Sequence, residues 1–175
     1  CWRNIVADNR PGQTELDGQV PTSWRKNRIV GCQFHTDRST RAAINFNGDH
    51  ASFGTLIANN ISDVGMNLVR VQAGGLAGSV ITGNTCYGAR QGSPDRESFI
   101  HVLDGRIEGL SITGNSFFTF GHEANQDQIN RRRANFITVE APVVNLGMTI
   151  TGNTFGYCNG NAIQIGNRPQ NCLVS

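Results

Sequence analysis

Four carboxylates are candidates for general acid–base chemistry: Asp95, Glu97, Asp127 and Glu140. Glycoside hydrolysis uses two carboxyl groups about 5 Å or about 6.5–9.5 Å apart, depending on its stereochemistry. The sequence leaves the pairing open among three candidate pairs, which are Asp95 with Glu97, Glu123 with Asp127, and Asp104 with Glu140.

A second set of side chains could hold a ligand through planar or hydrogen-bonding groups. Arginine dominates the basic residues, and its guanidinium fork suits carboxylates and planar polar groups. A histidine beside an arginine tends to stay neutral and can then act as a base. The candidate binding residues are Arg70, Arg96, His101, Arg133, Thr138 and Gln164.

Composition and missing motifs exclude several other classes of function. Only 16% of the residues are charged and the net charge is +2, which argues against a nucleic-acid surface. The apolar runs are too short for membrane insertion. No C-x-x-C spacing, P-loop, G-x-G-x-x-G, H-E-x-x-H or G-x-S-x-G motif occurs, so neither a metal nor another cofactor is predicted. The five cysteines are expected to be buried free thiols.

The elements that must position the candidate residues come from an internal repeat. Three segments, 81–86, 112–117 and 150–155, are nearly the same six residues, with the consensus I-T-G-N-[ST]-F. Weaker copies occupy 29–34 and 56–61, another copy starts at Leu173, and 5–8 is a degraded one.

Between these copies lies a short alternation of apolar and polar residues, which is typical of a half-buried strand. The distance from each alternating run to the next six-residue motif is nearly constant, whereas the reverse distance varies. Insertions are therefore confined to one side of a repeat of about 25 residues, and this predicts a solenoid of short strands. The alternating runs are 44–46, 69–71, 100–102, 137–139 and 163–165.

The predicted fold is all-β, a single-stranded parallel β-helix of about six coils. It covers 27–175 and is truncated at its C-terminus, and 1–26 is a degraded coil or a loop excursion. In the six-residue motif, the first and sixth residues point inward and the Gly-Asn pair makes the bend. Stacked amides are then expected to form a ladder of hydrogen bonds. Its predicted members are Asn59, Asn84, Asn115 and Asn153.

The same register predicts which side chains are buried and which are exposed. Phe117 is expected to stack on Phe155. Val30 and Ile57 are expected to face outward as an apolar pair suited to a subunit contact. The residues expected to be exposed are Thr82, Thr113 and Thr151. The residues expected to be buried are Ile29, Val71, Ile81, Val102, Ile112, Val139, Ile150 and Ile165.

The I-T-G-N-[ST]-F units, followed by strands such as 161–165, resemble the parallel β-helix repeats of the pectin-lyase-like superfamily, and most of all the coils of bacteriophage tailspikes. The resemblance implies a right-handed helix and a homotrimer that binds, and depolymerises, a cell-surface polysaccharide. It also implies an extracellular location or the virion surface. Two alternatives stay open: a secreted polysaccharide lyase or glycoside hydrolase of the same superfamily, and a non-catalytic structural or adhesive β-helix.

The two longest insertions, 87–97 and 118–134, fall in consecutive coils and concentrate charged residues. We therefore expect a carbohydrate groove bordered by these insertions. Its floor would be the outward residues of the alternating runs, from Arg70 to Gln164. Tyr87 and Phe120 are the aromatic candidates to stack on a sugar face, and burial against the coil is the alternative for both.

Overall fold

The computed structural model describes residues 5–7, 26–35, 42–47, 51–63, 67–87, 98–118, 135–140, 143–156, 161–166 and 170–175. Within these ranges every regular element is a β-strand. No helix there has the length and hydropathy that a membrane span requires. The paired strands run parallel and the sheets stack on one another, as in a β-solenoid, which is consistent with the predicted parallel β-helix.

The chain passes through four sheets in a fixed order, A, B, C and D, before it returns to sheet A. Sheet A contains β1 (Ile5–Ala7), β4 (Ala42–Asn47), β8 (Asn67–Ala73), β12 (Ile100–Val102), β16 (Ile137–Val139) and β20 (Ile163–Ile165). Sheet B contains β5 (Ser52–Phe53), β9 (Gly75–Ala77), β13 (Arg106–Glu108) and β17 (Val144–Asn145). Sheet C contains β2 (Arg28–Val30), β6 (Leu56–Ala58), β10 (Val80–Thr82), β14 (Leu110–Thr113), β18 (Met148–Thr151) and β21 (Cys172–Val174). Sheet D contains β3 (Gln33–His35), β7 (Ile61–Asp63), β11 (Thr85–Tyr87), β15 (Ser116–Phe118) and β19 (Thr154–Gly156).

The bend between sheets C and D explains the repeated Gly-Asn pair. The residue that ends each sheet C strand is followed by one with positive φ, 63° at Gly83 and 62° at both Gly114 and Gly152. Glycine adopts this left-handed backbone without a steric penalty. Asn59 occupies the same position with φ of 54°, because asparagine is one of the few other residues that tolerate it.

This bend corrects the register of the second motif copy. Ile57 pairs with Ile81, so Asn60 and not Asn59 stands beside Asn84. The prediction that Ile57 faces outward is wrong, because this side chain is only 1% exposed and packs in the core. Val30 is exposed as predicted, but it has no outward Ile57 beside it to form the apolar pair.

Two end segments also differ from the prediction. Val174, not Leu173, pairs with Ile150 and so begins the last copy of the motif. The segment Ile5–Ala7 pairs with β4 in sheet A and not with the six-residue motifs of sheet C. Short runs of consecutive apolar residues fit two registers equally well, since a slip of one residue only exchanges which of them faces the core.

The inward columns agree with the prediction for the central strands. Seven of the eight residues expected to be buried are buried, and Ile165 is half-buried because β20 is the edge strand of sheet A. Thr82, Thr113 and Thr151 are half-buried rather than fully exposed. Neighbouring strands cover part of each threonine, and the Thr113 hydroxyl lies 3.3 Å from that of Thr82.

Four phenylalanines form a stacked group inside the solenoid. Phe117 stacks on Phe155 as predicted, with ring centroids 5.7 Å apart and planes 15° from parallel. Phe99 and Phe136 join them, 5.7 Å apart and within 8° of parallel. These two residues immediately precede β12 and β16, so the stack lies where the chain enters sheet A after the two longest insertions.

The asparagine ladder consists of Asn60, Asn84, Asn115 and Asn153. From Asn84 onward, each amide oxygen accepts hydrogen bonds from the backbone N–H and the side-chain amide of the preceding member; for Asn84 the two distances from Asn60 are 3.0 and 2.9 Å. The oxygen of Asn60 accepts the backbone N–H of Cys32 at 2.9 Å. The side-chain amide of Asn84 also donates to the carbonyl of Ile57 at 3.0 Å. The ladder therefore satisfies backbone groups that the bend would otherwise leave unpaired.

Candidate functional site

The outward column of sheet A is the candidate floor of a ligand site. It consists of Asn45, Arg70, His101, Thr138 and Gln164, which are register partners on five successive strands, as predicted. The side chains alternate with buried aliphatic residues, so they lie on the outer face of the sheet. Adjacent strands place neighbouring members about 4.8 Å apart along the solenoid.

His101 and Glu140 form the best-defined polar contact of this face. Nε2 of His101 lies 2.9 Å from Oε1 of Glu140, and the two side chains are 12% and 42% exposed. Glu140 directly follows β16, and its backbone N–H donates to the carbonyl of Val102 at 2.9 Å. This bond holds the Glu140 backbone beside β12, and from there the Glu140 carboxylate reaches the imidazole of His101.

The members of the column differ in what surrounds them. Thr138 is only 2% exposed, and its hydroxyl contacts the hydroxyl of Ser98 and the side-chain amide of Asn135. Asn135 also donates to the side-chain oxygen of Gln164. Thr138 is thus buried in a network of protein contacts that extends to Gln164, whereas the Glu140 carboxylate beside His101 reaches solvent.

The early strands carry a simpler arrangement. The side-chain amide of Asn45 donates to the side-chain oxygen of Gln72 at 3.0 Å. Arg70 is half-buried between Asn45 and His101 in the register. Arg70 therefore lies on β8, the strand next to the one that carries His101.

The structure describes two of the candidate carboxylates, Asp104 and Glu140. Asp104 and Glu140 lie beyond neighbouring strands, as predicted, but they face different partners. The Asp104 carboxylate accepts the backbone N–H of Gly105 at 2.6 Å, whereas Glu140 contacts His101. Of the groove borders, 88–97 and 119–134 lie outside the described residues. The remaining candidates fall within these two ranges: Asp95, Arg96, Glu97, Phe120, Glu123, Asp127 and Arg133.

A polar column just before the alternating runs of sheet A was not predicted. Asn67 is the first residue of β8, Ser98 and Asn135 lie two residues before β12 and β16, and all three are buried. The Asn67 amide donates to the carbonyl of Ser98, and Asn135 accepts the backbone N–H of Asn161 at 3.0 Å. The signal in the sequence was their constant position two residues before each alternating run.

Metal binding and thiol chemistry find little support among the described residues. No group of histidine, cysteine, aspartate and glutamate there could hold a metal ion. Burial raises the pKa of the Cys86 thiol far above its ordinary range, so this cysteine has very little thiolate character. Proton transfer through His101 and Glu140 is the chemistry that the described geometry allows.

Comparisons with models of protein families, with characterised proteins and with solved structures find no match. The site is therefore interpreted from its own geometry.

Proposed function

We propose that this chain is part of a tailspike-like protein that binds a cell-surface polysaccharide along the outer face of sheet A and depolymerises it. In this proposal the solenoid is a right-handed helix of about six coils. The protein is a homotrimer that acts outside the cell or on the virion surface. These finer features rest on the resemblance of the repeats to tailspike coils.

The observation that carries the proposal is the outward column of sheet A with the His101–Glu140 pair inside it. A regular row of different polar side chains offers hydrogen-bonding groups at intervals of about one strand spacing, which suits an extended chain of sugars. Arg70 would hold hydroxyls or carboxylates of the glycan with its planar fork. Gln164, together with Arg96 and Arg133 from the insertions, completes the proposed binding set. Thr138, predicted as a binding residue, is 2% exposed and bonded to Ser98 and Asn135, so it supports the column from within the protein.

Cleavage would require a proton donor and a proton acceptor next to the scissile bond. His101 would transfer one of these protons, and Glu140 would orient the imidazole and stabilise its charged form. A carboxylate of the neighbouring insertions, Asp95, Glu97 or Asp127, would supply the second group. Sheet A would thus supply the His101–Glu140 pair, and the insertions that border it would supply the second carboxylate.

The test is a screen of purified capsular and lipopolysaccharide glycans for binding and for release of reducing or unsaturated ends. His101→Ala and Glu140→Gln should each lower the rate of product release by about 10²-fold and leave the fold intact by circular dichroism. Arg106→Ala is the matched control, because it removes a cation from the outer face of sheet B and should leave the rate unchanged.

Each outcome of the screen is informative. Binding without product would reduce the protein to a receptor-binding module. Cleavage that survives both His101→Ala and Glu140→Gln would place the reaction elsewhere on the chain. If the wild-type protein binds none of the glycans, the proposal is wrong.

A further inference from the structure

A second outer face, that of sheet D, carries an aromatic pair beside a row of hydroxyls. Tyr87 and Phe118 are register partners on β11 and β15, and Gly156 follows them on β19. The parallel column on the same face is Thr85, Ser116 and Thr154. Both aromatic side chains are half-buried, so each keeps part of its surface open to solvent.

The ring of Phe118 lies against the sheet instead of projecting from it. A Cβ atom placed on Gly156 would come within 2.6 Å of Cδ1 and 3.1 Å of Cε1 of Phe118. The ring therefore covers the position where the next strand has no side chain. The Cδ1–Cε1 edge of the ring thus lies beside the backbone of β19, and this contact restricts the orientation of the ring.

The three strands that carry this face, Thr85–Tyr87, Ser116–Phe118 and Thr154–Gly156, contain no charged residue. An aromatic ring held at one edge can present a face to the apolar C–H face of a sugar ring, and neighbouring hydroxyls can bond the sugar's edge. Charged sugars would find no counter-charge on these strands. On the adjacent strand β7 the register partner of Tyr87 is Asp63, an acidic residue, so the face matches neutral pyranose units better than uronates or sialic acids.

We infer that Tyr87 and Phe118 form a stacking subsite for neutral sugar units, a specificity element that rests on the proposed function. Tyr87 and Phe118 end β11 and β15 and are the first residues of the two longest insertions. The insertions lead to β12, which carries His101, and to β16, which Glu140 follows. A glycan crossing from sheet D to sheet A would meet the neutral subsite on one side and the charged pair on the other.

The experiment measures the affinity of the whole chain for three neutral probes, cellohexaose, maltohexaose and chitohexaose, by calorimetry or by NMR. Phe118→Ala should weaken binding of the preferred probe by about three- to tenfold, the scale of a single aromatic contact. Phe118→Trp keeps a flat ring and should retain binding. Gly156→Ala keeps the ring but displaces it from the sheet, and it should give an intermediate loss.

Val144→Ala is the matched control, because Val144 is an exposed apolar residue on sheet B and its loss should not change the affinity. Circular dichroism verifies that each variant is folded. If Phe118→Ala fails to fold, Phe118→Trp and Gly156→Ala still test the subsite. Equal affinities of wild type and Phe118→Ala would overturn the subsite. So would the failure of all three probes to bind.

The two proposals fail in different ways. If the wild-type protein cleaves a polysaccharide through His101 but ignores the neutral hexasaccharides, the function stands and the subsite is wrong. If Phe118 governs binding but His101→Ala changes no rate, the subsite stands and the catalytic proposal is wrong. A stacking contact should raise KM when lost, whereas His101 should act on kcat.

Discussion

The asparagine ladder and the outward column of sheet A are both rows of polar residues that follow the solenoid axis, but they differ in composition and in burial. The ladder repeats one residue type, and each amide bonds to the next at 2.9 Å. The outward column of sheet A changes residue type at every strand, from Asn45 to Gln164. Its members bond to residues of a neighbouring coil that lie two or three positions away from the column, which are Gln72, Glu140, Ser98 and Asn135.

This difference separates what the fold demands from what it leaves free. From Asn60 onward, each described bend between sheets C and D satisfies the same backbone groups with an asparagine. The bend before it has Cys32 at this position, and the backbone N–H of Cys32 donates to the side-chain oxygen of Asn60. The outer face of sheet A imposes no such requirement, since its backbone groups are already paired with neighbouring strands. Variation at a geometrically constant position is therefore where binding and catalysis can be placed.

Removing one ladder amide should have the largest effect on stability. Asn84→Ala leaves the backbone N–H of Asn60 and the carbonyl of Ile57 without their side-chain partner in a buried setting. Each such loss costs about 1–3 kcal/mol, so the free energy of unfolding should fall by about 3 kcal/mol in urea titrations. Asn59→Gly is the control, because Asn59 is exposed and has positive φ, and it should change stability by less than about 0.5 kcal/mol.

A loss for Asn84→Ala no larger than that for Asn59→Gly would contradict the structural role of the ladder. It would also remove the contrast with the outward column of sheet A.

The outward column itself should divide into a structural and an accessible part. Thr138→Val keeps the shape of the side chain but removes the hydroxyl that contacts Ser98 and Asn135. We expect a loss of about 1–2 kcal/mol in the free energy of unfolding. Thr113→Val, on the half-buried outer face of sheet C, is the matched control and should be nearly neutral. Equal effects of the two substitutions would show that the buried network near Thr138 contributes nothing.

The ladder also shows how far the sequence could predict this fold. The three clear motif copies define the register of β10, β14 and β18, and the structure agrees with it. The error arose at 56–61, where two consecutive asparagines allow two alignments. The physical rule that decides between them is the positive φ at the bend, which Asn59 can adopt in place of glycine and which leaves Asn60 for the ladder.

The candidate site was predictable only as far as regular pairing extends. Constant spacing placed Arg70 beside His101 correctly, because parallel strands transmit register from coil to coil. The contact between His101 and Glu140 depends on where a side chain turns after its strand has ended, and alternation carries no information on that. The same holds for Asp95, Glu97 and Asp127, which belong to insertions with no repeat to define their position.

The smallest effects on stability are expected from two side-chain contacts with the same separation, one between His101 and a carboxylate and one between an arginine and a carboxylate. His101 and Glu140 are 2.9 Å apart, and so are Arg106 and Glu108 on sheet B, but the latter side chains are 53% and 51% exposed. Exposed pairs contribute about 0–1 kcal/mol because water and salt screen them. Glu108→Ala should therefore shift the urea midpoint hardly at all, and added salt should erase the shift.

Glu140→Ala should cost more than Glu108→Ala, although still less than about 1 kcal/mol, because His101 is mostly shielded from solvent and loses its partner. The measurement is the difference in urea midpoint between the two variants at low and at high salt. A larger loss for Glu108→Ala would mean that burial does not strengthen the His101–Glu140 contact. The proposal that Glu140 orients the imidazole of His101 would then lose its support.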